Sequence, residues 1–306
     1  LNKGKNIISL PGLPRAFLVL FIIAVLSINS PAAVFQIKAP PSDTLRTRLT
    51  LEYHHDKIAG MLDIEYTDTI RVVIASTMES FNRALGTTFP DWGAAAAVKK
   101  RKLIVIKSPS HFRVGKSLEE LLGHELGHLM LDKASGGKWL PRWFEEGFCQ
   151  LVSGEWRLSN DIRITRAVWG SGLIPLTALE DVNKFSGAKA GLAYSQSYLA
   201  VSFLVQELSI QFIPDFLNDY RKSGDIYNAF FSASGYKYIE WVNLWQKQTV
   251  KRYRFVLFLF ESDFFFPMLA VLIILLYVMK KIQVRKKRKR WELEERLQGY
   301  DQDPSA

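Results

Sequence analysis

The chain has 306 residues, 48% hydrophobic and 23% charged, which suffices for one packed core of roughly 200 residues plus additional segments. Its single cysteine, Cys149, excludes an internal disulfide. The net charge of +10 is unevenly placed, with eight positive and no negative charges in Lys280–Arg290 directly behind an apolar run, and this argues for membrane topology rather than nucleic-acid binding.

Lys3, Lys5 and Arg15 flank an uninterrupted apolar run of 11 residues, Ala16–Leu26, and small residues follow to Ala33. Residues 1–33 are expected to be a secretory signal peptide or, because Pro31 lies in the cleavage region, an uncleaved N-terminal membrane anchor. Residues 34–43, with Pro40 and Pro41, are expected to be a linker. Thr44–Met61 predicts a helix with His54 and His55 on its surface. Ile70–Ala75 predicts a strand. Thr77–Leu85 carries Met78, Phe81 and Leu85 at helical spacing. A turn-rich stretch, Gly86–Gly93, leads to a short strand at Ala94–Val98 beside a cleft, and Lys102–Ile106 predicts a further strand. His111 follows Pro109 in a loop and is expected at the surface.

Leu118–Gln150 organises the chain. It holds His124-Glu125-Leu126-Gly127-His128, an H-E-x-x-H. Ser117 with Glu120 forms a capping box, and Leu118, Leu121, Leu122, Leu126, Leu129 and Met130 recur at helical spacing. On that helix His124 and His128 share a face and can reach one zinc ion, with Glu125 beside an activated water. A third protein ligand is needed. Asp132 lies one turn past His128, while Glu145 and Glu146 lie on a second helical run after Pro141, Arg142–Ser153. Gly127 is expected to leave room beside the metal. Glu145, Asp132 and Glu120 are candidates to orient the imidazoles. Cys149 falls on an apolar face and is expected to be a buried thiol rather than a ligand.

The motif followed by Trp143-Phe144-Glu145-Glu146-Gly147 resembles the gluzincin metallopeptidases, and more narrowly the peptidase MA-like family related to the M1 aminopeptidase catalytic domain. The resemblance implies an α+β zincin-like metallopeptidase domain over residues 44–251, a small mixed-sheet lobe plus a helical lobe. It implies zinc held by His124, His128 and Glu146, with Glu125 as general base, acting on a peptide or protein substrate. The 18 positions from His128 to Glu146 are one fewer than is typical of the aminopeptidases. Ala193–Leu204 resembles a later helix of these relatives, which suggests Tyr194 as an oxyanion donor, with Tyr198 one turn on as the alternative. The G-x-M-E-N segment of the aminopeptidases is absent, which argues against simple exopeptidase action.

Beyond Ser153 the pattern is mostly helical: Asp161–Val168, Tyr194–Leu208, Ile213–Tyr220, Asp225–Phe231 and Tyr238–Lys251. Phe185–Leu192, with two glycines, is expected to be surface-exposed or mobile. Residues 255–279 form a second apolar segment interrupted at Glu261-Ser262-Asp263, and 16 apolar residues run from Phe264 to Met279. We expect a C-terminal transmembrane helix beginning near Asp263, with residues 280–306 as a basic cytoplasmic tail and the catalytic domain on the opposite side. The competing reading is a catalytically inactive zincin fold serving as a membrane-bound binding or scaffolding module; the intact motif weighs against it.

Overall fold

Four short strands build one twisted sheet: β1 (Phe35–Lys38), β2 (Ile70–Ala75), β3 (Ala95–Val98) and β4 (Leu103–Lys107), in the order β1-β2-β4-β3. β1 and β4 run parallel to β2, and β3 lies antiparallel to β4 at the edge. The computed structural model describes residues 34–88, 93–185, 187–261 and 265–300. The expected signal or anchor segment, 1–33, and the end of the basic tail, 301–306, lie outside the described residues.

The linker expected at 34–43 is instead structural. Phe35 and Ile37 pair with Ile70 and Val72, and Phe35 is buried. The four-residue alternation F-Q-I-K is too short to stand out beside two prolines. Pro41 opens helix α1 (Pro41–Leu62), where a missing N–H is harmless because no helical partner exists there. α1 crosses from β1 to β2, as parallel neighbours require.

Alternation along the strands divides the sheet into two apolar faces. Ile70, Val72, Ile74, Ile104 and Ile106 face the main core, which includes Leu51 and Ile58 of α1. Ala75, Leu103 and Val105 face Phe81 and Leu85 of helix α2 (Met78–Leu85), which is held by a Thr77–Ser80 capping box.

Among the described residues eight further α-helices follow: α3 (Leu118–Ala134), α4 (Arg142–Ser153), α5 (Leu158–Trp169), α6 (Gly187–Leu208), α7 (Phe212–Ser223), α8 (Ile226–Ser234), α9 (Tyr238–Glu261) and α10 (Phe265–Tyr300). The architecture is a small mixed sheet beside a large helical lobe, with one long apolar C-terminal helix. α6 begins at Gly187, inside the stretch expected to be mobile, because core packing from Ala193 onward outweighs the helix cost of two glycines. α9 extends past Lys251 to Glu261. Within α10, Phe266–Glu292 is 27 residues and apolar enough to cross a membrane; at the helical rise it spans about 40 Å. Two compact units divide the chain. Leu1–Ile164 with Gly172–Gln246 holds the sheet and the core helices, and Thr165–Ser171 with Lys247–Ala306 holds α10.

His54 and His55 are buried rather than on the surface. The His55 ring reaches the Tyr66 carbonyl through Nε2 at 2.8 Å, joining α1 to the segment that enters β2. The His54 ring lies against Gly123 of α3, and its Nδ1 has no hydrogen-bond partner among the described residues. Burial, with help from the nearby Lys57 charge, pulls its pKa from 6.5 down to about 4. The folded state therefore holds this ring neutral, while the unfolded chain takes up the proton first as the pH falls. Stability contributed by the neutral ring is complete above pH 6.5 and is lost as the pH drops toward 4. In chemical denaturation followed by tryptophan fluorescence, His54→Gln should flatten the loss of stability across that pH interval.

Candidate metal centre

α3 is set by its N-terminus. The Ser117 hydroxyl accepts from the Glu120 amide at 3.1 Å, and the Ser117 amide donates to Glu120 Oε2 at 2.7 Å. This capping box satisfies two otherwise orphaned amides. From there the helix is apolar nearly all round and buried. His124 and His128, one turn apart, present their rings edge-to-face with centroids 5.0 Å apart.

α4 brings the carboxylates. Glu146 Oε2 lies 3.3 Å from His124 Nε2, and Glu146 Oε1 lies 3.9 Å from His128 Nε2. One ligand atom from each of His124, His128 and Glu146 falls within 4.8 Å of the others. Two glycines allow this approach. A Cβ on Gly147 would collide with the Ser197 carbonyl oxygen of α6. A Cβ on Gly127 would come within 3.1 Å of Cys149 Sγ and 3.3 Å of Val152 Cγ2 of α4. Gly127 thus makes room for α4, and not for a metal as the sequence had suggested.

Each ring is turned by a carboxylate on its other nitrogen. His128 Nδ1 is 3.0 Å from Glu145 Oε1, and His124 Nδ1 is 2.8 Å from Glu155 Oε1. Glu145 was one of three candidates for this role. The other two do different work: Asp132 sits 4.0 Å from Lys99 Nζ, and Glu120 caps α3 and receives Arg157. Glu155 was missed. It follows Gly154, whose φ of 76° ends α4 and reverses the chain. A carboxylate just past a glycine helix stop was the available signal, but a contact 31 residues away leaves no periodic trace.

Cations compensate the carboxylates. Lys99 pairs with Glu145, Lys116 with Glu155, and Arg142 with Glu146 at 2.6 Å. Burial would raise the Glu145 and Glu155 carboxyls, yet the histidine hydrogen bonds and the lysines hold both down at about 2. Glu146 is likewise lowered, against its burial, by the two histidines and Arg142. Burial disfavours a charged His124, but its hydrogen bonds to Glu146 and Glu155 raise it to about 10. Cys149 is fully buried, as expected, and its thiol is pushed up by burial and by the surrounding carboxylates.

These groups line a cleft of about 930 Å³ bordered by β3 and the start of α6. Glu125 and Tyr194 line it too. Glu125 makes no hydrogen bond among the described residues. Burial pushes the Tyr194 hydroxyl up to about 12, and Glu146 and Arg142 are its charged neighbours. It therefore stays protonated as a donor. Tyr198, the alternative, stacks on Trp156 with centroids 4.6 Å apart. His111 is exposed and reaches Ser108, whose hydroxyl donates to Asp43. Ser108 is fully buried in the middle of that row, so it offers no nucleophile.

Two imidazole nitrogens and one carboxylate, each imidazole braced from behind, make a donor set that fits a divalent metal of the zinc type. A family model described as the Peptidase MA superfamily matches residues 57–251. No curated protein matches the chain. Glu155→Ala should weaken zinc binding by about 10- to 100-fold by releasing the His124 ring, as measured by competition with a chromogenic chelator.

Proposed function

The chain belongs to the Peptidase MA superfamily, and on that premise we propose that it is a zinc-dependent metallopeptidase of the gluzincin type, with His124, His128 and Glu146 as the metal ligands. The observation that carries the reading is the convergence of both Nε2 atoms on the Glu146 carboxylate at the floor of the cleft. Zinc held there by His124, His128 and Glu146 would supply Lewis acidity, which makes a water more acidic and stabilises negative charge on a carbonyl oxygen.

The remaining chemistry belongs to the chain. Glu125, adjacent to His124 and unpaired in the cleft, takes the proton of the attacking water and delivers it to the leaving amine. Tyr194 donates its hydroxyl hydrogen to the developing oxyanion. Glu155 and Glu145 hold the two rings with Nε2 forward. Arg142 holds one oxygen of Glu146. β3 offers an open sheet edge along the cleft, to which an extended peptide can add by backbone pairing.

The apolar stretch of α10 and the eight positive charges of Lys280–Arg290 support a domain tethered at the bilayer with its tail cytoplasmic. Lys251, Arg252 and Arg254 on the opposite flank are outnumbered. On this reading the catalytic domain acts at the outer face of the membrane.

Glu125→Gln should lower peptide hydrolysis by at least about a thousandfold, while zinc, measured by atomic absorption, remains near one per chain. Undiminished cleavage would remove Glu125 as the base. A protein that takes up no zinc would leave only a zincin-fold binding module. Tyr194→Phe should reduce kcat by about 10- to 1000-fold with little change in KM, as expected for a donor that acts in the transition state.

A further inference from the structure

Among the cations that line the cleft, Arg163 stands apart. Lys99, Lys116, Arg142 and Arg157 each sit against a carboxylate. Arg163, on α5, has no carboxylate partner among the described residues. Its one hydrogen bond runs from Nη1 to the Asn160 amide oxygen at 3.4 Å, and Asn160 itself lines the cleft. A guanidinium presents five donors, and this contact uses one of them.

The position of the side chain is set by α6. A Cβ on Gly191 would stand 3.2 Å from Arg163 Nε and 3.5 Å from its Cδ, so the arginine stem lies directly over this bare stretch of helix. Gly191 shares a helical face with Tyr194 and Ser195, three and four residues on, and all three line the cleft. One turn advances about 5 Å. An extended peptide advances about 3.4 Å per residue. A substrate carbonyl held beside Tyr194 therefore places the first or second neighbour of the carbonyl-bearing residue against Arg163.

We propose that Arg163 is a specificity-determining residue that binds a carboxylate of the substrate, so that the preferred substrates are peptides bearing a negative charge two or three residues from the cleaved bond. Asn160 holds Nη1, which leaves the other N–H groups of the fork for bidentate capture of the carboxylate. An acidic side chain and a free C-terminus present the same chemistry at this distance. The inference deepens the peptidase reading and rests on it for the direction of the peptide.

The test uses the full-length, zinc-loaded protein in detergent micelles. Random octapeptides are offered with either Glu or Gln at each fixed position, and with either a free or an amidated C-terminus. Cleavage is followed by mass spectrometry, and binding of fluorescent versions to Glu125→Gln protein by anisotropy. Carboxylate-bearing peptides should be cleaved with kcat/KM, and bound with affinity, about tenfold better than their neutral counterparts. The preference should vanish in Arg163→Gln and turn toward Lys-bearing peptides in Arg163→Glu. A preference for Glu that survives amidation assigns an acidic side chain; one abolished by amidation assigns the terminus. Equal treatment of charged and neutral peptides by the wild type, or an unchanged preference in Arg163→Gln, overturns the proposal. Carboxylate-selective binding through Arg163 without any cleavage upholds it and overturns the peptidase reading alone. Cleavage without selectivity does the reverse.

Discussion

The close packing of α4 between α3 and α6 is the constraint on which the candidate centre depends. Ordinary helix pairs sit 8–10 Å apart, and side chains on the facing surfaces set that spacing. Here Gly127 removes a side chain from the α3 surface that meets Cys149 and Val152, and Gly147 removes one from the α4 surface that meets Ser197. The result is that a short carboxylate on α4 reaches both rings of α3. Neither glycine touches the candidate ligand atoms, yet both decide where those atoms lie. Apolar burial on the far sides of these helices, through Leu122, Leu126, Phe144 and Phe148, supplies the force that holds them together.

Bringing so many ionisable groups out of water carries a large desolvation cost, and the structure meets it by pairing. Glu145, Glu146 and Glu155 each contact a histidine and a basic residue. The pairs are arranged in depth. Imidazoles face inward, carboxylates brace them, and Lys99 and Lys116 stand behind, partly exposed. Such an arrangement holds each ring in one orientation, with Nδ1 toward its brace and Nε2 toward Glu146. Glu125 alone among the buried carboxylates of the cleft has no such partner among the described residues. Arg163, which also lines the cleft, has no carboxylate partner among the described residues.

The sheet contributes in a different way. Parallel strands β1, β2 and β4 carry the apolar faces that anchor α1 and α2, while antiparallel β3 serves as an open edge. β3 is alanine-rich and half-buried along its length, and Ala95, Ala96 and Ala97 line the cleft.

What the sequence determined by itself was local. A capping box and an i, i+4 pair of histidines require only helix geometry, so Ser117, Glu120, His124 and His128 were legible without knowledge of the fold. β2, β4 and the apolar run of α10 were legible for the same reason, since period and length are properties of a short window. The third candidate ligand was only narrowed: spacing left Asp132, Glu145 and Glu146 open, and family resemblance favoured Glu146. The tertiary structure separated the two adjacent glutamates, sending Glu146 to both Nε2 atoms and Glu145 to the back of His128. It also decided that Glu155 braces His124, that His54 and His55 are buried, that Gly127 serves α4, and that residues 35–38 form a strand. These outcomes depend on contacts between segments far apart in the chain, where burial and close approach override local pattern, and no periodicity in a single segment can encode which distant partner it will meet.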